Sequence, residues 1–292
     1  MLNEIIKETM VSPETLDELK KLDSKTLEKI YEKIRINKPL FFTKEMISPL
    51  LVDFKIIKTF DFKNKLTIQD YIEMLNERYS ALQNILVKKV EEKNPVSINK
   101  CSSGEVSLIG MVKSKKLEDR TVLELEDPTG SIKVLLPTEL FDEIDLDDVI
   151  AVYGIVENKT MNAQKVFYPD VPLKQPTLTE KQTTIANVMS RKENIADFVI
   201  FEDKIESKFK TYKLTNPTLL QINNVVILIL LDYNVQKTIK KRFVSNDFGQ
   251  FIIDLTPDII FTNKEESYNY KGISVVGINK IINLQNREII NL

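Results

Sequence analysis

The stretch "EVSLIGMVKSKKLEDRTVLELEDPTGSIKVLLP", Glu105 to Pro137, alternates apolar with polar residues for most of its length. A period of two is the pattern of strands with one face buried and one solvated. "DPTG", Asp127 to Gly130, places Pro and Gly where tight turns favour them, so the strands on either side fold back on each other. Downstream, "TELFDEIDLDD" reads as a short helix or turn, and "VIAVYGIVEN" and "AQKVFYP" as two further strands. Three meandering strands, a short helical segment and two more strands are the order of an OB-fold barrel, here spanning residues 105–170.

Outward from the barrel the period changes. Upstream, "NPVSINKCSSGE", Asn94 to Glu105, reads as a linker by its Pro, Asn, Ser and Gly content. Residues 1–93 carry mainly helical spacing. Ser12 before Pro13 and Glu14 makes an N-cap with an acidic first turn, and Leu16, Leu19 and Leu22 follow at helical intervals. Thr67 with Asp70 forms the sequence of a capping box for a long helix. Its apolar side runs from Ile68 through Tyr71, Ile72, Leu75, Tyr79 and Leu82 to Leu86. Only "LLVDFKIIKTFDF", rich in β-branched and aromatic residues, reads as a strand in this region. Downstream, "YPDVPLKQP" is a stiff proline-rich exit segment. Residues 177–292 alternate apolar strands with weaker helical patterns, one charged at 192–209 and one basic at 235–243. The chain therefore reads as a multidomain α+β protein. It has a helical N-terminal region (1–93), an OB-fold β-barrel (105–170) and a C-terminal truncated α/β domain (177–292).

Composition restricts the chemistry. The 292 residues are 42% hydrophobic, enough for packed cores, and the net charge of −2 argues against a general nucleic-acid surface. Glu4 and Glu8 interrupt the apolar start, unlike a signal peptide. The longest apolar run, "VVILILL", is far short of the ~20 residues that span a bilayer. A lone cysteine, Cys101, points to a reducing, cytoplasmic setting. The chain contains no histidine. Ser–His and Cys–His triads are thereby excluded, as is any histidine-ligated zinc or binuclear site.

The barrel segment with its exit, "EVSLIGMV…TVLELEDPTGSIKVLLP…DDVIAVYGIV…VFYPDVPLKQP", resembles the small subunit of archaeal family-D DNA polymerases (PolD). That family is related to the B subunits of eukaryotic replicative polymerases. "TIQDYIEMLNERYSALQNILV" is similar to the helix that precedes the family's OB domain. "LTNPTLLQINNVVILIL" and "PDIIFTN…YKGISVVG" look like late strands of its calcineurin-like phosphoesterase domain.

The resemblance implies two metal ions held by Asp-x-His, Asn-His-Asp and Gly-His-x-His motifs. Carried over by position, the first motif falls on Asn187 and Met189, and the last on Asn263, Lys264 and Glu265 in "NKEES". No Gly-Asn-His-Asp segment exists in the chain. The carboxylates Asp232, Asp254, Asp258, Glu265 and Glu266 lack the family spacing and read as solvated acids. The implied function is therefore non-catalytic. The chain is expected to be a scaffold subunit that stabilises the catalytic large subunit of a DNA polymerase in replication. It would be an inactivated phosphoesterase with no cofactor, touching DNA mainly indirectly and engaging no membrane. Partner contact is expected near Tyr168, Pro169 and Pro172, where aromatics meet stiff prolines at the barrel exit. The alternative reading is a standalone OB-fold protein that binds single-stranded nucleic acid. It would use the basic hairpin residues Lys113, Lys115, Lys116 and Arg120. The hairpin strands contain no aromatic residue on which bases would stack.

Overall fold

The computed structural model describes residues 1–63, 65–180, 182–190, 195–207 and 210–292, with the side chains of 48–50 left aside. The chain divides into two compact units that interleave in sequence. One comprises Met1–Phe60, Leu173–Tyr233 and Pro257–Leu292, and the other Asp61–Pro172 and Asn234–Thr256.

The second unit is built on a closed five-stranded barrel. Strands Gly104–Leu117, Thr121–Asp127 and Gly130–Leu136 pair antiparallel in a meander. Val149–Glu157 pairs antiparallel with the first strand, from Gly104↔Val156 to Met111↔Val149. Thr160–Phe167 closes the ring, antiparallel to Val149–Glu157 and parallel to Gly130–Leu136. The hairpin turn forms where its residues demand. Asp127 Oδ1 accepts from the Thr129 and Gly130 amides at 2.7 and 3.0 Å, and Oδ2 from the Ile98 amide at 2.9 Å. Close packing fixes Gly154, since a Cβ there would lie 2.2 Å from the Asn162 carbonyl. The barrel interior is aliphatic, with Leu108, Val112, Leu123, Leu125, Val134, Ile150, Val152 and Met161 at its centre. "NPVSINK" is more than a linker. Pro95–Val96 pairs parallel with Ser107–Leu108, and Ile98 enters the barrel core.

Helix α5 (Ile68–Val90) packs on the barrel and begins with the capping box read from the sequence, Thr67 and Asp70 bonding each other's main chain. Its Tyr79, Leu82, Leu86 and Val90 bury against Ile109, Met111 and Val149. The basic helix α6 (Val235–Lys241), capped by Asn234, and the hairpin Phe243–Asn246/Gly249–Ile252 complete the unit. Arg78 of α5 is wholly buried. Its guanidinium lies 4.0 Å from the Phe243 ring centroid and donates to Gln250 Oε1 at 3.1 Å.

The first unit begins with four short helices: α1 (Leu2–Glu8), α2 (Pro13–Lys20), α3 (Ser24–Asn37) and α4 (Lys44–Leu50). They enclose a small core of Ile5, Leu19, Ile30, Ile34 and Phe42. Besides the parallel pair Met10–Val11 and Phe41–Phe42, the rest of the unit is two six-stranded sheets. One runs Tyr268–Tyr270, Ile273–Val276, Ile259–Phe261, Val225–Ile229, Thr218–Ile222 and Phe54–Thr59. The other runs Thr211–Lys213, Lys204–Ser207, Phe198–Phe201, Thr184–Asn187, Lys280–Asn283 and Ile289–Asn291. One core joins them, with Leu220, Ile227, Ile259 and Phe261 from the first sheet against Ile185, Phe198, Ile200 and Ile282 from the second. Parallel pairing survives at the centre of each sheet, Val225–Ile229 with Ile259–Phe261 with Ile273–Val276, and Thr184–Asn187 with Phe198–Phe201.

Here the expected α/β layering is corrected. Among the described residues 177–233 and 257–292 there is no α-helix, and the sheets bury their apolar faces on each other. The charged helix expected at 192–209 is a hairpin in its described part, Phe198–Phe201 with Lys204–Ser207. Residues 192–194 and 208–209 lie outside the described ones. "FVIF" is β-branched and aromatic, and Glu202 takes a left-handed φ of 49° at the turn. A two-residue reversal with an apolar strand beside it outweighs the helical spacing of the surrounding charges.

Candidate functional site: the strand ends of the sandwich

The resemblance placed metal ligands at the C-terminal ends of the central strands, and the fold does bring those ends together. Asn187 closes Thr184–Asn187 in one sheet, and its side chain is buried with 3% exposure. Its Nδ2 donates to the Thr262 carbonyl at 2.8 Å and to the Gly277 carbonyl at 3.1 Å, both in the other sheet's strand-end loops. Thr262 N donates to Val276 O at 3.1 Å, so the two acceptors are themselves tied together. The loop "NKEES" folds down over this point. Ile278 N donates to the Lys264 carbonyl at 2.8 Å, and Gly277 N to Ser267 Oγ at 2.9 Å. Only glycine fits beneath it, since a Cβ at 277 would stand 2.5 Å from the Lys264 and Glu265 carbonyls.

Asn263 and Asp232 form a second link. The Asp232 amide donates to Asn263 Oδ1 at 3.2 Å, and Asn263 Nδ2 donates to Asp232 Oδ1. Leu230 N bonds the Phe261 carbonyl at 2.9 Å beside it. Met189, Lys264, Glu265 and Glu266 are exposed. The remaining acids lie elsewhere. Asp258 precedes its strand, at the opposite end from Asn263, and Asp254 belongs to the other unit. Asp258 is 2% exposed, 2.6 Å from Lys174 Nζ, and accepts from the Val226 amide at 2.9 Å. Burial pushes this carboxyl up, but the hydrogen bonds from Lys174, Thr177 and Val226 more than offset it and hold it below its ordinary value. Among the described residues no group of three or more His, Cys, Asp or Glu side chains is placed to hold a metal ion.

The donor set at the strand ends does not fit a pair of divalent cations. Among the described residues that point into it, it offers one carboxylate already engaged by an amide, and an asparagine whose NH2 points at two carbonyls. Cations of that kind take carboxylates, carbonyls or imidazoles aimed inward with their lone pairs unspent. What these residues do chemically is tie strand ends together, Asn187 from one sheet to the main chain of the other and Asn263 to Asp232 within a single sheet. The sequence located the Asn187 and Asn263 positions. The acceptors of Asn187, the carbonyls of Thr262 and Gly277, are main chain and carry no side-chain signal.

The basic hairpin of the barrel is distributed rather than gathered. Lys113 Nζ lies 3.3 Å from Glu124 and 3.5 Å from Glu126. Lys115 donates to the Phe141 and Ile144 carbonyls at 3.1 and 2.8 Å. Arg120 donates to Asn162 Oδ1 at 3.1 Å. Lys116 lines a cleft of about 400 Å³ with Lys133 and Lys159 but also with Glu118 and Glu124. At the barrel exit, Tyr168 packs against the barrel core, and Lys240 Nζ sits 3.8 Å from its ring centroid. Burial pushes the phenol up, and among the described residues its oxygen has no hydrogen-bond partner. Pro169 is buried and Pro172 exposed.

The Methanothermobacter thermautotrophicus DNA polymerase II small subunit is 32% identical over 176 residues, 56% of this chain. The chain is DNA polymerase II small-subunit-like. The Pyrococcus abyssi small subunit is 35% identical over 41% of the chain, and that of Archaeoglobus fulgidus 27% over 44%. The matches take in 34%, 22% and 28% of those three proteins, so the chain spans about a third or less of each small subunit it matches. No family model matches the chain. Among solved structures, an OBody bound to hen egg-white lysozyme aligns with 26% of this small-subunit-like chain at 19% identity and a TM-score of 0.24.

Proposed function

We propose that the chain is a non-catalytic accessory subunit of a DNA polymerase, pairing with a catalytic large subunit and stabilising it in replication. The observation that carries this reading is the similarity to archaeal small subunits over up to 56% of the chain. The strand ends support it. Where the resemblance would place hydrolytic ligands, Asn187 and Asn263 spend their amides on the fold. Loops carry function while packing carries stability, so such a sheet keeps its core after its loops change task. The barrel and the sandwich then serve as surfaces, and DNA is met mainly through the partner. Co-expression with the large subunit of the same host tests the reading. A complex that co-elutes on gel filtration at micromolar concentration is the expected result. Two separate peaks at that concentration would sink it.

A further inference from the structure

The apolar stripe of α5 is longer than the surface that covers it. At 23 residues the helix is about 35 Å long, and the barrel takes mainly its C-terminal half. Ile68 is 83% exposed, Ile72 46% and Tyr71 43%. Ile68 and Ile72 are one turn apart and share a face. Beside them lies a cleft of about 270 Å³, floored by Ile72, Leu75, Tyr79 and Met111 and walled by Pro128. A contiguous apolar surface of this kind, rimmed by polar groups, marks an interaction site.

Charge narrows what would cover it. Glu126 and Asp127 stand at the rim. The neighbouring cleft on the same half of α5 is lined by Asp61, Asp70, Glu73 and Glu77 with Lys63 as the one cation among them. Lys113 reaches Glu126 from the adjacent strand at 3.5 Å and offsets part of this. The surplus is negative. Such a rim repels nucleic-acid phosphates and anionic lipid headgroups, and attracts lysine and arginine.

We propose that the N-terminal half of α5 and its cleft dock an apolar segment flanked by Lys or Arg, contributed by the catalytic large subunit. The inference rests on the accessory-subunit reading above and adds the place and chemistry of the contact. Partner side chains would enter the cleft beside Ile72 and Leu75, in the manner of an amphipathic helix laid in a groove, with cations meeting Glu73, Glu77 and Glu126.

The test is titration of the purified large subunit onto the full chain, comparing wild type with Ile72→Glu, Ile68→Ser and the double variant Glu73→Lys/Glu77→Lys. These side chains are exposed or half-exposed, so melting temperatures should hold, and Ile68→Ser covers the case where Ile72→Glu fails to fold. The expected result is affinity lower by at least about tenfold in each variant, and a wild-type affinity that weakens with salt. Wild-type affinity in all three variants would overturn the site and leave the accessory reading standing. No binding by wild type would overturn both. A dimer of the chain alone that Ile72→Glu disperses would give the cleft to a second copy, and would likewise overturn the proposal.

Discussion

Asn187 is the residue on which the sandwich's strand ends turn. Replacing it with alanine strands two buried carbonyls, and Asn187→Ala should cost about 1–3 kcal/mol, measured as a lower urea midpoint at unchanged slope. Asn187→Asp restores the residue type the resemblance expects, yet aims a carboxylate at the Thr262 and Gly277 oxygens. The introduced acid is tolerated protonated and repelled ionised, so its folded pKa lies above the unfolded value. The variant should therefore match or exceed Asn187→Ala in stability below about pH 4 and fall beneath it as pH rises. Equal stability of the two variants across that range would contradict the geometry. Asp258 behaves with the opposite sign. Its folded pKa is depressed below the ordinary carboxylate value, so its contribution is present above that value and is lost as pH falls through the folded pKa. Asp258→Asn should unfold more easily at pH 7 and show a shallower loss of stability between pH 4 and 2 than wild type, followed by circular dichroism.

At the scale of elements, two devices hold the barrel unit together. The capping box at Thr67 satisfies the first amides of α5, and Thr67→Ala should cost about 1 kcal/mol by thermal melting. Helix α6 is joined to the barrel by buried charge. Lys241 Nζ lies 2.6 Å from both Asp145 and Asp148, and Asp148 is 2% exposed. Burial drives the Asp148 carboxyl up, with Lys241 as the counterweight. Lys241→Ala leaves that acid uncompensated and should cost about 3–5 kcal/mol. Lys241→Met with Asp148→Leu should recover most of it, and a double variant as unstable as the single one would refute the pairing. These elements were unequally legible in the sequence. The barrel showed a clean period of two, and α5 its cap, because both signals are local. The α5 stripe was legible as apolar but not as half uncovered, since exposure depends on how far the barrel reaches. The hairpin at Phe198–Ser207 was misread because strands of four residues give too few positions to outvote a charge pattern.

For the whole molecule, the division of the chain was the least legible feature. Phe54–Thr59 pairs with Thr218–Ile222, some 160 residues on, and α6 with its hairpin joins the barrel unit from within the C-terminal half. Such partnerships depend on which edges lie open in three dimensions, and no local period records them. At the candidate site, the sequence singled out Asn187 and Asn263 only by position, in a chain without histidine. Their partners, two main-chain carbonyls for Asn187 and Asp232 for Asn263, were not legible as such. The central claim is that the sandwich serves as framework for a polymerase partner. It is met most directly by incubating the purified chain with single-stranded DNA and manganese, beside Asn187→Ala. The account expects no cleavage by either protein. Manganese-dependent cleavage by wild type that Asn187→Ala abolishes would contradict it.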